Sequence, residues 1–338
     1  MNRKKMMPLL ILAGSVLVLA VLLVVLKLSQ AGQQEPGIAL CDFSVDAIDK
    51  MSYSGENVEA TLLKGSEGDW MLESDPTLPL DQSVVSSLLE KFAGLTASRQ
   101  LQQEELAEIP ALSDTPLMVF TISSGETTCT LTVDQANDVA DIYYVYDENG
   151  TVYTVAQTDL AGLCKAPRDL YLSQVISEKT IEDVATMQVE TLHFTQTNGT
   201  WTLTDDPDYP LDQDAVKKMA NTVCGAKTDW TITTPEEDSV YGLDTPDVTV
   251  TATFTDGTSL TVRFGNLKAE DDALCYLASS ETPTVVYEVN ADYKAAFAVT
   301  KESLYEETAT AESAAEDNIV AEHPVGGKDD FADVAQSE

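Results

Sequence analysis

The sequence predicts an α+β fold: two tandem copies of one module with antiparallel sheets and segregated short helices, placed after one N-terminal transmembrane helix. Three observations predict it. A thirteen-residue segment beginning at Trp70 recurs from Trp201. Short runs of alternating apolar and polar residues are grouped and joined by glycine turns, rather than interleaved with long helices. An unbroken apolar stretch precedes both copies.

That stretch comes first in the chain. Residues 1–8 include Asn2-Arg3-Lys4-Lys5, and Leu9 to Leu28 follows with Lys27 as its only charge. At about 1.5 Å of rise per residue the run spans the roughly 30 Å hydrocarbon core. A helix there pairs every backbone amide internally, and the basic cluster is expected to stay in the cytoplasm, leaving the rest of the chain outside. Ser29-Gln30-Ala31 has the small residues of a signal-peptidase site, but the length of the apolar run favours a retained anchor over a cleaved leader. Cys41 lies too far beyond it to be a lipidation site. Setting aside Arg3, Lys4, Lys5 and Lys27 changes the net charge from -38 to -42, so the expected exterior is strongly acidic. No basic patch exists to bind nucleic acid.

The repeat sets the domains. Trp70–Gln82 and Trp201–Gln213 agree at eight of thirteen positions, including Asp-Pro and Pro-Leu-Asp-Gln. Asp114-Thr115-Pro116 then aligns with Asp244-Thr245-Pro246, Val152-Tyr153 with Val286-Tyr287, and Leu170-Tyr171 with Leu304-Tyr305. The modules are expected at 38–172 and 180–305, joined by a hinge near Ser173 to Lys179, with a disordered acidic tail over 306–338. Around each Trp, 58–63 with 69–72 and 191–197 with 200–204 read as hairpin strands, turning at Gly65, Gly68 and Asn198-Gly199. Asp81 and Asp212 are placed to cap helices whose apolar stripes are Val85, Leu88, Leu89, Phe92 and Val216, Met219, Ala220, Val223. A second group of strands follows at 117–122, 127–133, 142–146 and 151–155, and again at 248–254, 259–264, 274–278 and 284–289. Short helices near 157–165 and 291–299 close the modules.

Trp-x-Leu, Pro-Leu-Asp before a helix, Tyr241-Gly242-Leu243-x-x-Pro246, Phe254-x-Asp256-Gly257, Phe264-Gly265 and Val286-Tyr287-x-Val289 together resemble the bacterial family known as domain of unknown function 4340, over about residues 40 to 305. The second copy fits better. The first has Pro110-Ala111-Leu112 for Tyr-Gly-Leu and no counterpart of Gly265. Members are typically membrane-anchored, and some occur beside auxiliary components of ABC transporters of the gliding-motility type. The resemblance therefore implies an accessory role in the cell envelope and brings no catalytic residues with it.

The chemistry readable from the residues is sparse. There is no Gly-x-Ser-x-Gly, phosphate loop, His-Glu-x-x-His or Cys-x-x-Cys. Asp256-Gly257-Thr258 reads as a hairpin turn rather than a protease triplet. His193 reads as a sheet-surface residue. The acid clusters Asp134/Asn137/Asp138/Asp141, Asp205/Asp206/Asp208 and Glu270/Asp271/Asp272 lack the spacing of a calcium loop and read as solvated. Of five cysteines, Cys129 with Cys164 and Cys224 with Cys275 are the pairs that could bridge strand to helix, although separate buried thiols are the favoured reading. Ile142, Tyr144 and Tyr146 share one strand face, Tyr143 and Val145 the other, with Tyr153 on the next strand; ordinary cross-strand packing is favoured over a stacking platform.

These readings describe a membrane-anchored, extracytoplasmic, non-catalytic protein, with no cofactor, metal or catalytic residue assigned. It is expected to scaffold or assist a partner such as an envelope or ABC-type transport complex. The alternative is a cell-surface module binding glycan or calcium.

Overall fold

The computed structural model describes residues 37–306, apart from Glu56, Glu108, Pro110 and Ala111. The expected anchor Leu9–Leu28 and the acidic tail beyond Glu306 lie outside the described residues. Among the described residues no helix is long and apolar enough to cross a membrane. The chain divides into two compact units, one ending at Leu172 and one beginning at Ser173.

The first unit runs β1 (Ile38–Ala39), β2 (Lys50–Gly55), β3 (Val58–Lys64), β4 (Trp70–Leu72), α1 (Gln82–Ala93), β5 (Thr96–Ala97), β6 (Arg99–Gln100), β7 (Met118–Ser124), β8 (Thr127–Asn137), β9 (Ile142–Asp147), β10 (Val152–Ala156) and α2 (Gln157–Leu160). The second runs β11 (Val184–Val189), β12 (Leu192–Thr197), β13 (Thr200–Leu203), α3 (Gln213–Gly225), β14 (Thr228–Ile232), α4 (Asp238–Tyr241), β15 (Val248–Phe254), β16 (Ser259–Lys268), β17 (Asp271–Ser279), β18 (Val286–Asn290) and α5 (Ala291–Ala295). Each builds one eight-stranded sheet, ordered β4-β3-β2-β7-β8-β9-β10-β6 and β13-β12-β11-β15-β16-β17-β18-β14. Position for position the two orders are the same, and every pairing is antiparallel. The architecture is therefore α+β, in tandem duplicate.

Period-two patterning decides which sheet face is buried. In β15, Val248, Val250, Ala252 and Phe254 are buried while Thr249, Thr251 and Thr253 point the other way. The buried face lies against the long helix. Val216, Met219, Ala220 and Val223 of α3 join Phe194, Trp201 and Phe264 in one core. In the first unit Phe92 of α1 meets Phe120 of β7 edge to face, with centroids 4.6 Å apart. Burial of each such side chain contributes about 1.5–3 kcal/mol, more than helix propensity offers.

Several features depart from expectation. The central strands β2 and β11 were not singled out in the sequence: β2 has only Met51 and Tyr53 between polar residues, and in β11 a register shift between Val184 and Thr186 breaks the alternation. Edge strands β6 and β14 were also missed. Residues 173–176, read as a hinge, are built into the second unit: Ile176 N donates to Ala226 O at 3.1 Å, and Thr228 N to Gln174 O at 2.8 Å. The matching bond in the first unit runs from Leu40 N to Leu95 O at 3.1 Å.

The cysteine pairing also needs correction. Cys41 is disulfide-bonded to Cys129, 88 residues away, whereas Cys164, Cys224 and Cys275 remain thiols. Pairing of β1 with β5 carries Cys41 onto the sheet, a long-range approach that spacing does not reveal. The second unit has Leu260 opposite Ala252 where the first has Cys129 opposite Ile122, so the bond belongs to one copy alone.

Candidate functional site

The repeated Trp and Pro-Leu-Asp-Gln residues hold the fold together. Trp201 N donates to Gln213 Oε1 at 2.9 Å, and Gln213 Nε2 donates back to Trp201 O at 2.9 Å. Trp70 and Gln82 make the same reciprocal pair at 2.8 and 2.9 Å. Each Gln side chain thus ties an edge strand to the start of the helix. Asp81 Oδ1 accepts from Ser83 N and Val84 N, and Asp212 Oδ1 from Asp214 N and Ala215 N, as N-caps. These bonds hold the exposed Asp81 carboxyl below its usual range, the Ser83 hydroxyl being the largest cause. The late Leu-Tyr pair closes each unit: Asp81 N donates to Leu170 O, and Asp212 N to Leu304 O.

Residues with catalytic or metal-binding potential are scattered. His193 is exposed on the sheet face away from the helix, its Nδ1 3.8 Å from Asp205 Oδ2. Asp256 sits in the β15–β16 turn, where Lys179 Nζ donates to Oδ2 at 2.6 Å and Thr258 N and Oγ1 donate to Oδ1. Those donors, Lys179 first, hold its carboxyl far below the usual range. Asp134 is buried and accepts from Ser113 N, whereas Asp138 accepts from Gln157. Asp206 pairs with Lys301 at 2.7 Å. Among the described residues no group of three or more His, Cys, Asp or Glu is placed to hold a metal. The buried Cys224 and Cys275 thiols are pushed up to about 11, chiefly by desolvation, which makes them poor nucleophiles. In β9, Tyr144 and Tyr146 lie opposite Thr154 and Val152, while Tyr143 and Val145 lie opposite Val155 and Tyr153 on the helix-facing side. The tyrosines are therefore divided between two faces.

The built feature is on the other face of the second unit's sheet, where Tyr241-Gly242-Leu243 docks. Tyr241 and Leu243 are buried in a small second core with Ala278 and Val286, and Tyr241 packs edge-on against Tyr276 at 5.0 Å. Gly265 makes this approach possible, because a Cβ there would lie 2.1 Å from the Tyr241 carbonyl oxygen. Gly242 ends α4 at φ +70° against the Asn266 side chain, a conformation that favours glycine. Both Gly265 and Asn266 fall at the β16 register shift. Arg263 fastens the loop, donating from Nη1 to Leu243 O at 2.6 Å and to Asp238 Oδ2 at 3.0 Å. Beside it Lys268 Nζ donates to both oxygens of buried Glu288, at 2.8 and 2.9 Å. The first unit has Asp134 in the matching bulge, where any side chain would meet a loop docked this closely. The sequence signal for this site was the glycine pair; its purpose appears only with the loop in place.

A family model described as "Domain of unknown function (DUF4340)" matches residues 70–200 and again 201–319. Each match begins at the tryptophan of an edge strand, and the first runs past the unit boundary through β11 and β12. No curated protein matches, and no solved structure does.

Proposed function

The chain belongs to the DUF4340 family in two tandem copies, and from that footing we propose that it is a membrane-anchored, extracytoplasmic, non-catalytic protein that scaffolds or assists a partner in an envelope or ABC-type transport complex. The observation that carries this reading is where the signature residues act. Trp201, Gln213, Asp212, Tyr241, Gly242 and Gly265 fasten strands, helix ends and a docked loop; Asp212 also lines a recess of about 670 Å³ with Tyr209, Glu302 and Tyr305, but its carboxylate is engaged there as the cap of α3. Residues selected for shape rather than reactivity fit a protein that presents a surface. The Cys41–Cys129 disulfide supports an oxidising compartment outside the cytoplasm. The apolar run Leu9–Leu28 supports the anchor.

The alternative reading, a glycan or calcium module, has less support. Calcium has no carboxylate cluster among the described residues to hold it, and the β9 tyrosines do not share one exposed face. The test is chemical crosslinking of the full chain in its native membrane, followed by mass spectrometry. Recovery of a membrane-protein partner is expected; adducts to lipid or to nothing would overturn the proposal.

A further inference from the structure

We propose that the recess beside the docked loop of the second unit is a socket for a protein partner, taking one aliphatic side chain of an extended segment whose backbone carbonyl is met by Arg263. This rests on the scaffolding reading above and gives it a location. The recess, about 210 Å³, is walled by Pro235, Ala278, Pro283 and Val286, with Asp238, Arg263 and Ser280 at its polar side. That volume is below the roughly 300–1,000 Å³ that encloses a drug-sized ligand, and it suits a single anchoring side chain. Arg263 spends only Nη1 on the loop, and its Nε and Nη2 donate to nothing among the described residues. A guanidinium with spare donors at the mouth of an apolar recess calls for an acceptor beside an apolar group.

Charge selects the kind of acceptor. The chain carries -38, and Asp238 already faces Arg263 at 3.0 Å, so a free anionic metabolite would be repelled on approach and would find the cation part-neutralised. A neutral peptide carbonyl bears neither cost. Val240 on α4, 52% exposed, leaves a large apolar side chain in the open two residues from Asp238, which lines the recess. A buried anchor with an apolar and hydrogen-bonding surround is the arrangement of a protein-binding hot spot.

The test places a photoreactive amino acid in the full-length chain in native membranes, either at Pro283 on the socket or at Lys217 on the exposed side of α3, with Ser280→Trp as a variant that fills the recess from an exposed position. The expected result is an adduct to one membrane protein from position 283, reduced at least tenfold by Ser280→Trp while the melting temperature holds, and none from position 217. An adduct from 217 but not 283 overturns the socket and leaves the scaffolding role standing. An adduct from 283 that survives Ser280→Trp also overturns the socket. Adducts from neither position overturn the socket, and if crosslinking of the full chain also recovers no membrane protein, the scaffolding role falls with it.

Discussion

Single atoms decide whether the signature loop can dock. Gly265→Ala puts a methyl 2.1 Å from the Tyr241 carbonyl oxygen, and backbone cannot yield as a flexible side chain does. The expected cost is about 1–3 kcal/mol, seen as a lower melting temperature together with loss of the near-UV circular dichroism of the Tyr241–Tyr276 pair. An unchanged melt would mean that the loop is not held there. Asp256 makes a prediction of a different kind. Its carboxyl is held far below the ordinary range by Lys179 and Thr258, so its folded pKa lies under its unfolded value near 3.9. Its contribution to stability is complete above about pH 4 and is lost as pH falls through the folded value. Urea midpoints followed from pH 6 to pH 2 should therefore fall more steeply in the wild type than in Asp256→Asn; parallel curves would refute the assignment.

Among elements, the clamp between edge strand and helix does more than either the strand or the helix alone. Gln213→Ala removes the acceptor for Trp201 N and the donor for Trp201 O, leaving backbone groups beside a buried indole without their partners. A loss of about 1–3 kcal/mol is expected, with Gln82→Ala behaving alike in the first unit; guanidinium denaturation of each variant measures it. The disulfide acts on one copy only. Closing an 88-residue separation should stabilise the first unit by about 2–4 kcal/mol. Reduction should then lower one melting transition in calorimetry and leave the other in place, and a shift in both would contradict the separation of the units. The helix stripes and both aspartate caps were legible from spacing, since local geometry alone places them. The two-residue strand β6 and the strand β14 were not, because pairing with a distant neighbour is all that makes them strands.

For the molecule as a whole, charge is the dominant long-range quantity. Acids outnumber bases 57 to 19, and the compact state gathers like charges that the unfolded chain disperses. Raising salt from 10 to 150 mM shortens the Debye length from about 30 to about 8 Å. Melting temperatures should therefore rise over that range, and a fall would show that attractive pairs such as Lys268–Glu288 outweigh the net repulsion. Duplication was also legible at this scale, because eight identities in thirteen positions, followed by further matches at a slowly drifting offset, report ancestry before they report contacts. The family match and the two identical strand orders agree with it.

The sequence by itself determined the class of the fold, its duplication, the helix caps and the buried face of the strands whose alternation is regular, such as β15. Duplication follows from the repeat itself, and the others from interactions within a few residues or from a period of two or 3.6. Tertiary structure alone decided that Cys41 meets Cys129, that 173–176 is bonded to 226–228 of the second unit, and that Gly242 and Gly265 let a loop lie against a bulge. Each depends on the approach of segments more than twenty residues apart, and proximity of that kind is set by how the whole sheet closes and leaves no mark on local spacing.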